Sequence, residues 1–472
     1  MKKGVVLLII LVVALAVLPF GFSFWAESRL KSVLNDFNDA GLVEFTVLKV
    51  DRGWFSSDAI IVGELASSLS GKVDQLQQMA EKGESPKLVL NSKIHHGPFP
   101  MSGKAFSIMP VVAIVDSKLM KSVGGDEPLI TIDYTLQATL ALMGKDHVKV
   151  DIPEWSGAVG KEQANLQWKG LKSDFSFDEG LKSADVMIDA PYLEMKGPDG
   201  SMLMEMLKMD SKSKVGIEGL SLGSAVFTIA KLKMLDEKAG VDFGVTDIKI
   251  KADTTATGDN INSTARFDIG SMNITGESFG PGVFTMAFRN LDAGAIARIS
   301  NKYKEMSSQT DIPPEQMNMM VGATLFSEMS VLLEKGPEIE IGELSLASAA
   351  GKLLGTARVT VDNSKPEMLS NPMLIKDAII GEVDLEIPVE LLVSMNKAVV
   401  RQEFKSVNIE YTEDQLQSMA KSRVEKLFEP LVAGNIFTLV GDMYKFSASF
   451  KEGVPRVNGQ PFQLPMGGAP VQ

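Results

Sequence analysis

The chain has no cysteine and only three histidines among its 472 residues. Without cysteine there are no disulfides, thiolate metal sites or thiol nucleophiles, so core packing alone must hold the fold. The histidines His95, His96 and His147 fall into no HExxH spacing and no zinc knuckle, and P-loop, Rossmann and EF-hand patterns are missing as well. Adjacent residues of a strand point to opposite faces, so His95 and His96 would need a special loop to share a metal. The residues therefore call for no cofactor and no metal. Positive charge is also in short supply, since 47 Lys and Arg face 60 Asp and Glu for a formal net charge of −13. That balance excludes nucleic acid as a partner, because binding it requires a basic surface that displaces phosphate counterions.

Long apolar runs are absent except at the start. Lys2 and Lys3 precede residues 4–25, an uncharged stretch reading GVVLLIILVVALAVLPFGFSFW. At ~1.5 Å per residue a helix of this length crosses the ~30 Å hydrocarbon core of a bilayer. The lysines lie before it and an acidic-leaning segment (Glu27, Asp36, Asp39, Glu44) follows, which puts the N-terminus in the cytoplasm and exports the rest. A cleaved signal peptide is the competing reading, with Ala14-Leu15-Ala16 as its small-residue triplet. Hydrophobicity continues past Ala16 and ends in Phe20, Phe22, Phe24 and Trp25, an aromatic interface belt that favours an uncleaved anchor over residues 1–26. In a bacterium this gives a single-pass inner-membrane protein with its ectodomain in the periplasm.

Beyond the anchor, 45% hydrophobic and 23% charged residues over the whole chain describe a folded protein rather than a disordered tether. Much of it alternates with period two: Ile130 to Leu136, Val148 to Ile152, Ile248 to Ala252, Phe284 to Phe288, Val383 to Ile387 and Phe446 to Phe450 each set apolar against polar neighbours. Strands with one apolar and one wet face belong to antiparallel sheets. Turn residues at Gly124-Gly125, Gly197-Pro198-Asp199-Gly200, Gly258-Asp259-Asn260 and Gly280-Pro281-Gly282 suit tight connections between them. Helical spacing predicts helices over about 24–39, 72–82, from Pro313-Pro314 to Gly336-Pro337, and over 388–404. A last helix starts at the capping box Thr412 to Gln415 and stops at Gly434-Asn435. Ile217 to Leu222 resembles Ile341 to Leu346, which suggests two related β layers. The expected fold is thus α+β: an N-terminal transmembrane helix (1–26), then a large, elongated, mainly antiparallel β ectodomain with several helices. That ectodomain divides into a β-rich region (27–300) and a continuous mixed region (301–472).

One motif invites a catalytic reading. Gly276-Glu277-Ser278-Phe279-Gly280 fits the G-x-S-x-G nucleophile elbow, which needs a helix after the serine and a later histidine. Here Pro281-Gly282 follows and every histidine comes earlier, so a hairpin turn is expected and no catalytic residue is assigned.

Two other blocks carry identity. Arg52-Gly53-Trp54-Phe55-Ser56-Ser57 follows a predicted strand, and so does His96-Gly97-Pro98-Phe99-Pro100. Glycine in each supplies a tight turn, Phe55 and Phe99 are expected to bury against the first sheet, Arg52 to find an acidic neighbour, and His96 to bond backbone. With the anchor and the ending around Val457-Asn458-Gly459-Gln460, these blocks resemble the YdgA/YihF family of bacterial proteins. The resemblance implies an inner-membrane anchor, a periplasmic β-rich ectodomain, a tendency to oligomerise and no assigned catalytic residues. It leaves Arg52, Gly53, Phe55, Ser56, Ser57, His96, Gly97, Pro98 and Phe99 as structural or docking positions.

A one-faced sheet must cover its apolar side with helices, a second sheet or a ligand. A tethered β-structure with an apolar inner face resembles AsmA-like envelope proteins in architecture. The leading expectation is a non-catalytic envelope protein that binds or shields lipid or another apolar ligand. The alternative is a homo-oligomeric or partner-binding scaffold without ligand, and an envelope hydrolase ranks third.

Overall fold

The computed structural model describes residues 21–38, 43–65, 87–96, 100, 111–123, 135–159, 164–307, 314–364, 374–406 and 409–462. Residues 1–20 of the expected anchor lie outside this set, as do the expected helix at 72–82, the turn Gly124-Gly125 and the residues Gly97, Pro98 and Phe99. Among the described residues no helix is long and apolar enough to cross a membrane. The chain forms two compact units. One comprises Met1–Tyr192, Lys208–Val215 and Tyr303–Met317, the other Leu193–Leu207, Gly216–Lys302 and Asn318–Gln472.

The first unit is a meander closed by a helix. Its strands are β1 (Val43–Arg52), β2 (Ser56–Leu65), β3 (Lys87–His96), β4 (Val111–Val123), β5 (Thr135–Ala141) and β6 (Asp146–Ile152). A small hairpin, β7 (Trp155–Val159) with β8 (Ala164–Trp168), is followed by β9 (Leu171–Phe177), which returns to pair with β6, and by the start of β10 (Ser183–Gly197). The antiparallel register sets Ile94, Val115, Ala138, Val148 and Phe175 side by side across β3, β4, β5, β6 and β9. Helix α1 (21–38) lies on this face. Ala26, Leu30 and Val33 recur at helical spacing and are buried with Ile61, Leu90, Ile94 and Leu140 in one cluster. The ring of Phe37 meets that of Phe177 edge-on at 5.4 Å. Each fully buried Leu, Ile or Val here contributes ~1.5–3 kcal/mol.

Polar contacts fix how α1 lies. Arg29 Nη2 reaches Asp146 Oδ2 at 2.7 Å, and the other oxygen of this fully buried carboxylate accepts the Ala141 N–H at 2.8 Å. Burial raises the pKa of the Asp146 carboxyl, while the Ala141 amide and Arg29 pull it back. At the far end the Asn38 amide closes a two-way clasp on Phe45, accepting from its N–H at 2.6 Å and donating to its carbonyl at 3.0 Å.

The second unit follows β11 (Gly200–Val215), of which its residues 200–207 are part. Its strands are β12 (Ser221–Asp236), β13 (Val241–Thr257), β14 (Asn260–Ile269), β15 (Ser271–Ile274), β16 (Glu277–Phe279) and β17 (Gly282–Asp292). They continue with β18 (Glu338–Ser348), β19 (Gly351–Val361), β20 (Ile379–Pro388), β21 (Thr438–Val440), β22 (Met443–Lys451) and β23 (Val454–Val457). Antiparallel pairing runs β12–β13–β14–β17–β18–β19–β20–β22–β23, and the short hairpin β15–β16 continues the β13 edge beyond β14. The helices are α2 (Ala293–Ser307) and α3 (Pro314–Glu334), whose residues 303–307 and 314–317 belong to the first unit, then α4 (Ile375–Ala378), α5 (Val389–Ser406) and α6 (Glu413–Ala433). Asp292 caps α2 by accepting the Ala295 N–H at 2.8 Å, and Thr412 with Gln415 forms the full capping box of α6. Helices α5 and α6 pack Val393, Ala420, Val424 and Phe428 onto Tyr444, while Leu391 joins Phe279 and Ile387.

The sequence similarity between Ile217 to Leu222 and Ile341 to Leu346 does not extend to conformation. Ile217–Gly219 is a 3-10 turn in which Glu218 has φ +53°, whereas Ile341 and Leu346 both lie in β18. Strand neighbours hold the second copy extended, while in the first Gly216 and Gly219 close a local turn.

Candidate functional site

The structure joins the two sequence blocks at one corner of the first unit. Register places Ser56 opposite His95 and Ser57 opposite Ile94, and the His96 N–H donates to the Phe55 carbonyl at 3.2 Å. The side chains of Ser57 and His96 are both buried, with Ser57 Oγ 3.1 Å from His96 Nε2. The ring of His96 thus engages a hydroxyl of the other block, while the bond to the Phe55 backbone is made by its main-chain N–H. His95 points the other way, 3.6 Å from Asp116. Gly53 is needed for closeness rather than for an unusual φ: a Cβ there would lie 2.2 Å from the Ser56 carbonyl oxygen. Arg52 does find an acidic neighbour, Glu27 of α1, at 2.5 Å, and its guanidinium sits 4.7 Å from the centre of the Phe24 ring. Lys31 and Arg52 hold the Glu27 carboxyl below the ordinary carboxylate range.

One expectation for this corner is corrected. Phe55 does not bury: it is 64% exposed, and Trp54 beside it is 49% exposed. The main-chain carbonyl of Phe55 is held by the His96 N–H while its side chain stays at the surface of the turn.

Gly276 of the G-x-S-x-G segment lies in the turn of the β15–β16 hairpin and Glu277–Phe279 form β16, with Ser278 exposed opposite Asn273 and accepting from Asn273 Nδ2 at 3.3 Å. The segment has a packing role instead. Glu277 and the Thr275 carbonyl receive Arg401 of α5 at 3.0 and 2.6 Å, and Arg401 also pairs with Glu413 of α6 at 3.0 Å. Lys397 adds contacts to Glu277 and Glu413 at 3.2 and 3.4 Å. Gly276, at φ +90°, passes where a Cβ would lie 3.1 Å from the Arg401 guanidinium. Burial lowers the pKa of Arg401, but the two glutamates more than offset that and keep it raised. Among the described residues no group of three or more His, Asp or Glu side chains is placed to hold a metal ion.

The largest feature without an evident structural purpose is one face of the second unit's sheet. Phe227, Ile250, Phe267, Phe284, Leu344, Leu385 and Phe446 stand side by side across seven strands, with Gly355 at the β19 position. The next row reads Ala225, Ala252, Ala265, Met286, Ile341, Ala357, Val383 and Ala448, and a third includes Phe288, Ile339, Val359 and Phe450. Period-two alternation sends Lys251, Arg266, Arg358 and Glu382 to the opposite face. Helices touch it at both ends of β19: near its start Leu346, Leu353 and Leu385 pack with Leu391 and Leu392 of α5, and at its last residue Val361 joins Ala378 and Leu333 of α3. Away from them Ile250, Phe267, Ile339 and Val359 remain 36–47% exposed. Contiguous apolar surfaces are a common feature of interaction sites in other proteins.

One hollow of about 680 Å³ in the first unit is lined by Asp116, Lys149, Asp151, Lys172, Asp174 and Asp189. One of about 490 Å³ in the second unit is lined by the charged Lys251, Asp253, Arg266, Arg289 and Glu340 together with Ala225, Ala252, Ala265 and Met286 of the second row. Sequence reasoning identified β13, β17, β20 and β22 as amphipathic but missed that their apolar sides join, because register between distant strands leaves no local trace. The Arg401 cluster was missed for the same reason.

Residues 1–465 match the model of a family described as "Bacterial protein of unknown function (DUF945)". No curated protein and no solved structure matches the chain.

Proposed function

From the premise that the chain belongs to the DUF945 family of bacterial proteins, we propose that it is a non-catalytic, membrane-anchored envelope protein whose second unit holds lipid or another apolar chain against its sheet. The observation that carries this reading is the partly exposed apolar face: two rows of side chains across β12 to β22 and a third over β17 to β22. Water contact on such a surface is unfavourable by ~25 cal/mol per Å², which an acyl chain lying along it would relieve. The uncharged run 4–20, leading directly into α1, supports an inner-membrane anchor with the remainder in the periplasm. The R-G-x-F-S-S and H-G-P-F-P blocks further support a place among the YdgA/YihF members of the family.

Native mass spectrometry with lipid extraction tests the proposal on residues 21–472 purified without detergent, a span that keeps α1 whole. Bound lipid that is lost in an Ile250→Asp, Phe267→Asp double variant is the expected result. A lipid-free oligomer of defined size would instead favour a scaffold in which a second copy covers the same face.

A further inference from the structure

The structure exposes a second aromatic group at the start of α1. Phe24 and Trp25 are 51% and 44% exposed, and the turn 53–55 adds Trp54 and Phe55, at 49% and 64%. Arg52 ties the two together: its guanidinium lies 4.7 Å from the Phe24 ring centre and pairs with Glu27 one turn along the helix. Gly53 keeps the turn tight against the Ser56 carbonyl, and the Phe55 carbonyl is held by the buried His96 block. The turn is therefore rigidly built and still presents two large aromatic side chains to solvent. In sequence, the uncharged run 4–20 ends immediately before α1 begins.

We propose that the turn 53–55, together with Phe24 and Trp25, rests in the headgroup zone of the bilayer and forms a second membrane contact. This rests on the anchor reading given above. Tryptophan suits that zone because its ring is amphipathic, and aromatic residues concentrate there. A helix leaving the membrane would be free to swivel; a second contact reached through the Arg52–Glu27 pair fixes the orientation of the first unit to the bilayer. The same contact gives a physical reason for an arginine, a glycine and two aromatics in one short turn, a combination that core packing does not require.

The test uses the full chain reconstituted in phosphatidylethanolamine–phosphatidylglycerol vesicles containing phosphatidylcholine brominated on its acyl chains. Trp25→Phe, Trp155→Phe and Trp168→Phe leave Trp54 as the sole tryptophan. The expected result is loss of the larger part of Trp54 emission to the lipid bromines, a blue shift, and protection from aqueous iodide. Because the chain lacks cysteine, Phe55→Cys carrying a nitrobenzoxadiazole dye gives an independent readout if the triple variant does not fold. Its emission should rise and shift to the blue on reconstitution. Protein that stays with the vesicles through an alkaline wash, while Trp54 or the dye remains open to iodide and untouched by bromine, would overturn the second contact and leave the anchor standing. Protein released by the wash would overturn both.

Discussion

Both units present an antiparallel sheet with one apolar face, but they cover it differently. In the first, α1 lies along the face, the Arg29–Asp146 and Asn38–Phe45 contacts fix its place, and Leu30, Ile94 and Leu140 are at most 4% exposed. In the second, α5 and α6 close one end through the Arg401 cluster and leave Phe267 and Ile339 more than a third exposed. Strand patterning alone does not distinguish these outcomes, since β3 and β13 alternate alike. The difference lies in what covers the sheet. A covered face contributes to stability, whereas an uncovered one retains free energy that a ligand can use.

The comparison breaks most severely at the clamp on the second unit. Arg401→Met takes the guanidinium donor from the Thr275 carbonyl and leaves Glu277 with Lys397 alone, and removing one partner of a buried ion cluster costs ~3–5 kcal/mol. A thermal melt should show the loss, and an unchanged melting temperature would mean that α5 and α6 are held by packing alone. Next comes the contrast between faces. Leu30→Ala should destabilise by ~2–5 kcal/mol, as in other well-packed cores, while Phe267→Ala should cost under ~1 kcal/mol because its ring already meets water. Equal costs by urea titration would contradict the division into a closed and an open face.

Smaller effects sharpen the account of the motif corner. Ser57→Ala removes the hydroxyl that meets His96 and should cost ~1 kcal/mol in the same titration. Glu27 supplies a pH test. Its folded pKa lies below the unfolded value of 4.5, so its contribution is fully present above that value and fades as pH falls through the folded pKa. Glu27→Gln should therefore lower the melting temperature at neutral pH, and the gap from the unmodified protein should close on acidification below 4.5. Asp146 works in the opposite sense: its folded pKa is raised from 3.8, so its burial penalty grows as pH rises through that window and is absent below it.

Local signals were readable where they depend on neighbours in sequence. The helix after Pro314, the capping box at Thr412 and the alternation in β13, β17, β20 and β22 all follow from spacing or from backbone donors a few residues away. The meeting of Ser57 with His96 was not legible as a contact, although both blocks stood out, because it depends on the β2–β3 register. Phe55 was misjudged for a related reason: hydrophobicity states what a side chain prefers, while the turn between β1 and β2 leaves this ring at the surface. The apolar rows of the second unit needed seven registers at once.

The central claim, that this open face holds an apolar chain, is tested most directly by photocrosslinking in the full-length protein. Benzoylphenylalanine replacing Phe267, compared with the same residue replacing Arg266, samples opposite faces of one strand. The account predicts lipid adducts by mass spectrometry at position 267 and none at 266. Absence of lipid at 267, or equal labelling at both positions, would contradict it.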